Sequence, residues 1–152
     1  MREVTLVFVG KLKDTHLEAL EGKYLKRLTS PKLKIVEVKA SSEDRDAEGE
    51  AVLARIDELA RGSSINIVLL SEWGKTYTST DFAKWWYSLL EGQSPVYLVI
   101  GGAEGHGEKI KARARAQLSL SPMTYAHKLA RLVLVEQLYR AQCIHAGHPY
   151  HK

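Results

Sequence analysis

The sequence predicts one α/β domain built on a mainly parallel sheet, and three observations carry that reading. Strand-length apolar runs alternate with amphipathic helical patterns along the whole chain. Two of those runs, 65–70 and 96–100, are apolar almost throughout, as strands covered on both faces of a parallel sheet are. The 152-residue length suits a single core, and no repeat, linker or low-complexity segment interrupts it.

Residues 4–9 form a β-branched run ended by Gly10, the first strand. Leu17, Leu20, Tyr24, Leu25 and Leu28 then recur at helical spacing until Pro31 stops the pattern. Residues 33–38 alternate Leu, Ile and Val with Lys, Val and Glu, a strand with one wetter face. A polar loop over 41–46 leads into a helix that turns Val52, Leu53, Ile56 and Leu59 inward and is closed by Gly62. After the strand at 65–70, residues 78–90 read as a helix with Thr and Ser to cap its start and Gly92 just past its end. The strand at 96–100 runs directly into Gly101-Gly-Ala-Glu-Gly-His-Gly107. A short basic helix over 108–117, a short strand over 118–120 and a last helix over 127–144 complete the pattern.

Composition narrows the class. Hydrophobic residues at 45% and charged residues at 26% exclude a wholly disordered chain. The longest apolar run falls far short of the roughly 20 residues a membrane span needs. The opening residues read as a strand without a cleavage site, and the lone Cys143 has no partner for an internal disulfide, so a cytoplasmic protein is expected. A net charge of +4 and a pI near 9.1 are compatible with a nucleic-acid partner without requiring one.

The glycine cluster after the strand at 96–100 occupies the position where α/β proteins place ligands, because bare backbone can approach a ligand and offer its N–H groups. Two familiar motifs are excluded. A dinucleotide fingerprint needs a third glycine where Ile110 stands, and a P-loop needs Lys where Glu108 follows Gly107. A glycine-rich turn serving backbone geometry alone is the other reading.

On the last helix, Leu129, Ala130, Leu132, Val133, Leu134, Val135 and Leu138 cover nearly the whole circumference. A helix apolar all round is buried on both flanks, which predicts a homodimer packed through it. Glu136 and Arg140 stand at i,i+4; either they form a helix-stabilising ion pair, or Arg140 points at a polyanion or the dimer seam. The tail, Cys143 to Lys152, contains one Cys and three His, but Gly147 and Pro149 break any regular ligand spacing. No metal is expected; the tail suits contact with RNA or completion of an active site.

Three segments together resemble a known family: Gly101-Gly-Ala-Glu-Gly105; Leu118-Ser-Leu-Ser-Pro-Met-Thr-Tyr-Ala-His-Lys-Leu-Ala-Arg131; and Val135-Glu-Gln-Leu-Tyr-Arg140 with His148-Pro-Tyr-His-Lys152. They look like the small bacterial SPOUT-class methyltransferases that act on pseudouridine in 23S ribosomal RNA. One departure is Ala103, where the family usually has Pro, a change that removes no donor. The resemblance implies a C-terminal trefoil knot, an exception to the unknotted rule. It also implies a homodimer and S-adenosylmethionine held by the backbone of the knot loops. Matching positions here are Leu70, Gly101, Gly102, Leu120, Ser121, Pro122, Met123, Thr124 and Tyr125.

The implied acceptor is N3 of a pseudouridine in the assembled ribosome. Losing its proton puts negative charge on the flanking carbonyl oxygens, which a cation would stabilise, and Arg140 and Lys152 suit that role. His127, His151 and Glu104 qualify by type as general base, without a choice among them. His127, Arg140, Tyr150 and His151 are the candidate catalytic residues, with one protomer's tail closing over the other's knot. Lys109, Lys111, Arg113 and Arg115 form a basic run that either touches RNA or is a solvated helix face. The rival classes are a non-catalytic ribosome-binding module of the same fold and a nucleotide-binding enzyme, the latter disfavoured by the absent fingerprint.

Overall fold

A computed structural model describes residues 3–40, 44–102 and 105–152. Five strands, β1 (Val4–Val9), β2 (Leu33–Val38), β3 (Asn66–Lys75), β4 (Val96–Ile100) and β5 (Ala116–Leu118), pair in the order β2-β1-β4-β3-β5, every pair parallel. The helices are α1 (Thr15–Arg27), α2 (Arg45–Ala60), α3 (Ser79–Leu90), α4 (Glu108–Arg113) and α5 (His127–Ala146).

Side-chain alternation along the strands divides the core into two layers. Leu6, Phe8, Val68, Leu98 and Ile100 face a cluster with Trp86 of α3 and Leu134, Val135 and Leu138 of α5. Val7, Val9, Ile67, Leu69 and Val99 face the other way, onto Val52 and Ile56 of α2 and Ile110 of α4. Near-continuous burial of β1 and β4 explains why they read as unbroken apolar runs. Asp14 caps α1 by accepting from the His16 and Leu17 amides, both at 3.0 Å, and the Thr78 hydroxyl accepts from Asp81 N at 3.1 Å to start α3.

Several boundaries differ from the sequence reading. The strand expected over 65–70 continues to Lys75, with a register shift against β5 between Leu70 and Lys75. At Gly74 this brings β5 so close that an added Cβ would lie 2.6 Å from the Gln117 carbonyl carbon. The basic helix stops at Arg113, where Ala114 turns extended, and the short strand lies at Ala116–Leu118 instead of 118–120. Arg61, at φ 50°, takes the left-handed position ahead of Gly62 at the end of α2.

Candidate functional site

The carboxyl ends of β3 and β4, the loop following β5 and the first turn of α5 enclose a cleft of about 610 Å³. Leu70, Gly101, Gly102, Leu120, Ser121, Met123, Thr124 and Tyr125 all line it, as does His127. Pro122 lies in the same loop without lining the cleft. Ala103 and Glu104 fall outside the described residues, so the third candidate base has no placement. The rim is strongly exposed: Trp73 and Met123 keep 87% and 75% of their surface in solvent.

The cleft walls are held by groups that sequence patterning did not single out. Glu48, buried on α2, accepts the Gly102 amide at 3.1 Å, and Asp46 accepts the Glu108 amide at 3.2 Å, so the start of α2 anchors both sides of the glycine loop. A Cβ on Gly102 would meet a Glu48 carboxylate oxygen at 2.6 Å, and one on Gly101 would meet the His106 ring at 3.1 Å. Both positions therefore stay bare, which leaves main-chain atoms as the wall of the cleft.

His106 is itself buried, and its Nε2–H donates to the Leu70 carbonyl at 2.7 Å. Burial pushes this imidazole below the usual histidine range; the Leu70 bond opposes that shift and the Lys111 charge adds to it. The ring is thus neutral near pH 7, with its proton on Nε2. In the loop after β5, Ser119 Oγ donates to the Ser121 carbonyl at 2.9 Å and Ser121 Oγ accepts the Met123 amide at 3.0 Å. The Thr124 hydroxyl donates to the Glu72 carboxylate, tying that loop to β3.

His127 stacks on Phe8 with ring centroids 5.1 Å apart and planes within 8°. Among the described residues its ring makes no hydrogen bond. One turn further along α5, the Arg131 guanidinium sits 4.8 Å from the same Phe8 ring and binds Glu21 at 2.7 and 2.8 Å and Glu37 at 2.8 Å. Partial burial raises the Glu37 pKa, but the Arg131 bond and charge and the Leu12 amide outweigh it and hold that carboxyl below its ordinary range.

The structure does not bring Arg140, Tyr150 and His151 to this cleft within one chain. They gather towards the far end of α5, roughly 20 Å along the helix from His127 at about 1.5 Å per residue. Arg140 Nη2 pairs with Glu136 at 3.1 Å, its Nη1 donates to His151 Nδ1 at 3.0 Å, and its guanidinium lies 4.8 Å from the Tyr150 ring. The Tyr150 hydroxyl donates to Glu136 at 3.3 Å. Burial first, then the Tyr24 hydrogen bond and the Glu136 charge, raise the Tyr150 pKa and keep its phenol protonated. So the i,i+4 pair forms, and the tail closes over it. The remaining tail groups disperse: Cys143 is buried and His145 stacks on Tyr87 at 3.8 Å. Lys109 pairs with Glu50 and Arg113 with Asp57, so half of the basic run is engaged by α2.

A cleft at the carboxyl ends of parallel strands, walled in part by bare glycine backbone and edged by an imidazole, defines an α/β protein with a ligand site at its strand ends. The model of the family described as predicted SPOUT methyltransferase matches residues 2–151, and the chain belongs to that family. It is similar to proteins named ribosomal RNA large subunit methyltransferase H. That of Anaeromyxobacter sp. (strain Fw109-5) is 44% identical over 154 positions, covering 97% of both chains. That of Synechococcus sp. (strain CC9311) is 42% identical over 147 positions, covering 97% of this chain and 94% of the relative. That of Clostridium novyi (strain NT) is 38% identical over 162 positions, covering 98% and 99% respectively. The chain is accordingly a methyltransferase, and its methyl donor is S-adenosylmethionine. The cleft fits that donor: its volume lies within the range of ligand pockets, and bare glycine backbone on one side faces the 120–125 loop on the other.

Proposed function

We propose that this protein methylates N3 of a pseudouridine in 23S ribosomal RNA of the assembled ribosome, as a cytoplasmic homodimer of one-domain chains. The observation that carries the reading is the division of the candidate residues along α5. One end presents His127 to the cleft, and the other gathers Arg140, Tyr150 and His151 out of its reach. A second copy supplies the missing half when its tail covers the first copy's cleft. The relatives' names, which specify the large ribosomal subunit RNA, support the substrate class.

The dimer seam has a counterpart on α5. Leu134, Val135 and Leu138 are consumed by the chain's own core, whereas Leu129 remains 44% exposed and Leu132 and Val133 stay half-buried beside Glu136 and Arg140. This stripe is what a partner helix would cover. The trefoil threading of residues after β4 belongs to the same proposal; it would hold the 101–102 and 120–125 loops against each other.

S-adenosylmethionine supplies an electrophilic methyl group when bound. The protein's own tasks are to orient the base, exclude water and stabilise charge on the carbonyls flanking N3. His106 is committed to the Leu70 carbonyl, which supports assigning the N3 proton to His127, the cleft histidine held flat against Phe8. Arg140, oriented by Glu136 and His151, and Lys152 bring positive charge from the end of the partner's α5 and its tail.

The test is incubation with labelled S-adenosylmethionine and undermodified bacterial ribosomes, followed by nucleoside mass spectrometry of the 23S RNA. The expected product is 3-methylpseudouridine. Absence of product on ribosomes that an active relative methylates would refute the substrate, and ribosome binding without cofactor affinity would favour a non-catalytic module. Truncation after Gly147 leaves α5 intact; it should abolish transfer while sparing cofactor binding, and full activity without the tail would refute the composite site.

A further inference from the structure

Residues 11–39 hold eight of the chain's 22 Lys and Arg but four of its 18 Asp and Glu, so this stretch alone accounts for the net charge of +4. All eight cations are exposed. The acids of the same stretch are largely committed elsewhere: Glu21 and Glu37 bind Arg131, and Asp14 caps α1. Glu18 is left as the exposed acid of α1, whereas Lys23, Lys26 and Arg27 share the helix face opposite buried Glu21 and Leu28. Lys26 and Arg27 gain from the helix dipole in the last turn, but that does not account for Lys11, Lys13 or Lys32, which lie off the helix.

The position of this band gives it a direction. Gly10, next to Lys11, packs so near α5 that an added Cβ would lie 3.4 Å from His127 Nε2. The band therefore begins beside the cleft mouth and runs about 20 Å down α1, at 1.5 Å per residue, to the region where Tyr24 and Tyr150 meet. By contrast, Lys109 and Arg113 of α4 spend their charge on α2.

We propose that the exposed face of α1 and the Lys11–Lys13 loop form the surface that grips the phosphate backbone of the substrate RNA next to the target nucleotide. This rests on the ribosomal-RNA reading above. It assigns the contact to α1 rather than to Lys109 and Arg113 of α4.

The experiment uses the full-length protein, undermodified ribosomes and two paired variants, Lys23→Gln/Lys26→Gln on α1 and Lys109→Gln/Arg113→Gln on α4. Each lost phosphate contact should reduce the slope of log affinity against log salt by about 1. The α1 pair should flatten it by roughly 2 and raise KM for ribosomes, leaving kcat and cofactor affinity unchanged. The α4 pair should behave as wild type. An α1 variant with wild-type slope and KM overturns the proposal while the methyltransferase reading stands. Weaker binding with an unchanged salt slope also overturns it, indicating a protein contact instead. If wild type neither binds nor methylates ribosomes, both readings fall together.

Discussion

Replacing Arg131 with Met should cost this protein about 3–5 kcal/mol, because it leaves a buried carboxylate without its counter-ion. The Arg131 and Glu21 side chains are 7% and 6% exposed, and they meet through two parallel bonds of 2.7 and 2.8 Å. Glu37, at 35% exposure, can rehydrate when the guanidinium goes; Glu21 cannot. The loss therefore tracks Glu21, and Phe8 gives up its cation–π neighbour as a smaller increment. A native protein has roughly 5–15 kcal/mol in hand, so the variant should be marginal at 25 °C. Urea unfolding followed by tryptophan fluorescence is the assay, and with m of about 1–3 kcal/mol per molar the midpoint should fall by at least about 1 M. The paired variant Arg131→Met/Glu21→Leu, which removes the orphaned charge, should recover most of the loss. A single-variant cost below about 1 kcal/mol, or no recovery in the pair, would refute the reasoning.

Two further outcomes follow from the geometry. Gly74→Ala should destabilise by about 1–3 kcal/mol and weaken cofactor binding, since its Cβ would drive β5 and the loop behind it away from β3; near-wild-type values in calorimetry and cofactor titration would show that β5 tolerates the shift. Buried His106 resists protonation, whereas the unfolded chain binds that proton near pH 6.5, so its contribution to stability is complete above pH 6.5 and lost as pH falls through the window beneath it. His106→Leu should flatten that part of the dependence of Tm on pH, and identical profiles for wild type and variant would contradict it.

Elements that carry their own signal were legible in the sequence. β1 and β4 announced themselves as apolar runs, and α3 by its Thr78 cap. β5 was displaced in the reading because Ala116 and Gln117 have no strand preference of their own; β3 imposes the strand on them. The extension of β3 through Gly74 was hidden for the same reason. At the site, the glycine loop was legible from its place at the carboxyl end of β4, whereas the 120–125 loop came only through family resemblance, since main-chain ligand binding leaves no side-chain spacing to read. Asp46 falls in the polar loop of the sequence reading and Glu48 follows it without any apolar signal, and only their long-range bonds to Glu108 and Gly102 distinguish them. The separation of Arg140 from His127 was available beforehand as thirteen intervening steps of helix, but not that the tail would fold back onto it.

One consequence concerns the order in which the molecule is made. α5 is synthesised after every strand, yet it supplies Leu134, Val135, Leu138 and Ala141 to the layer over β1 and β4, and Arg131 to the carboxylates of α1 and β2. A nascent chain that ends before α5 has a finished α2 side and an open, greasy one, with Glu21 waiting for its cation. Folding of this domain is therefore completed only once α5 has emerged, and chains stalled ahead of α5 should be substrates for chaperones and proteases.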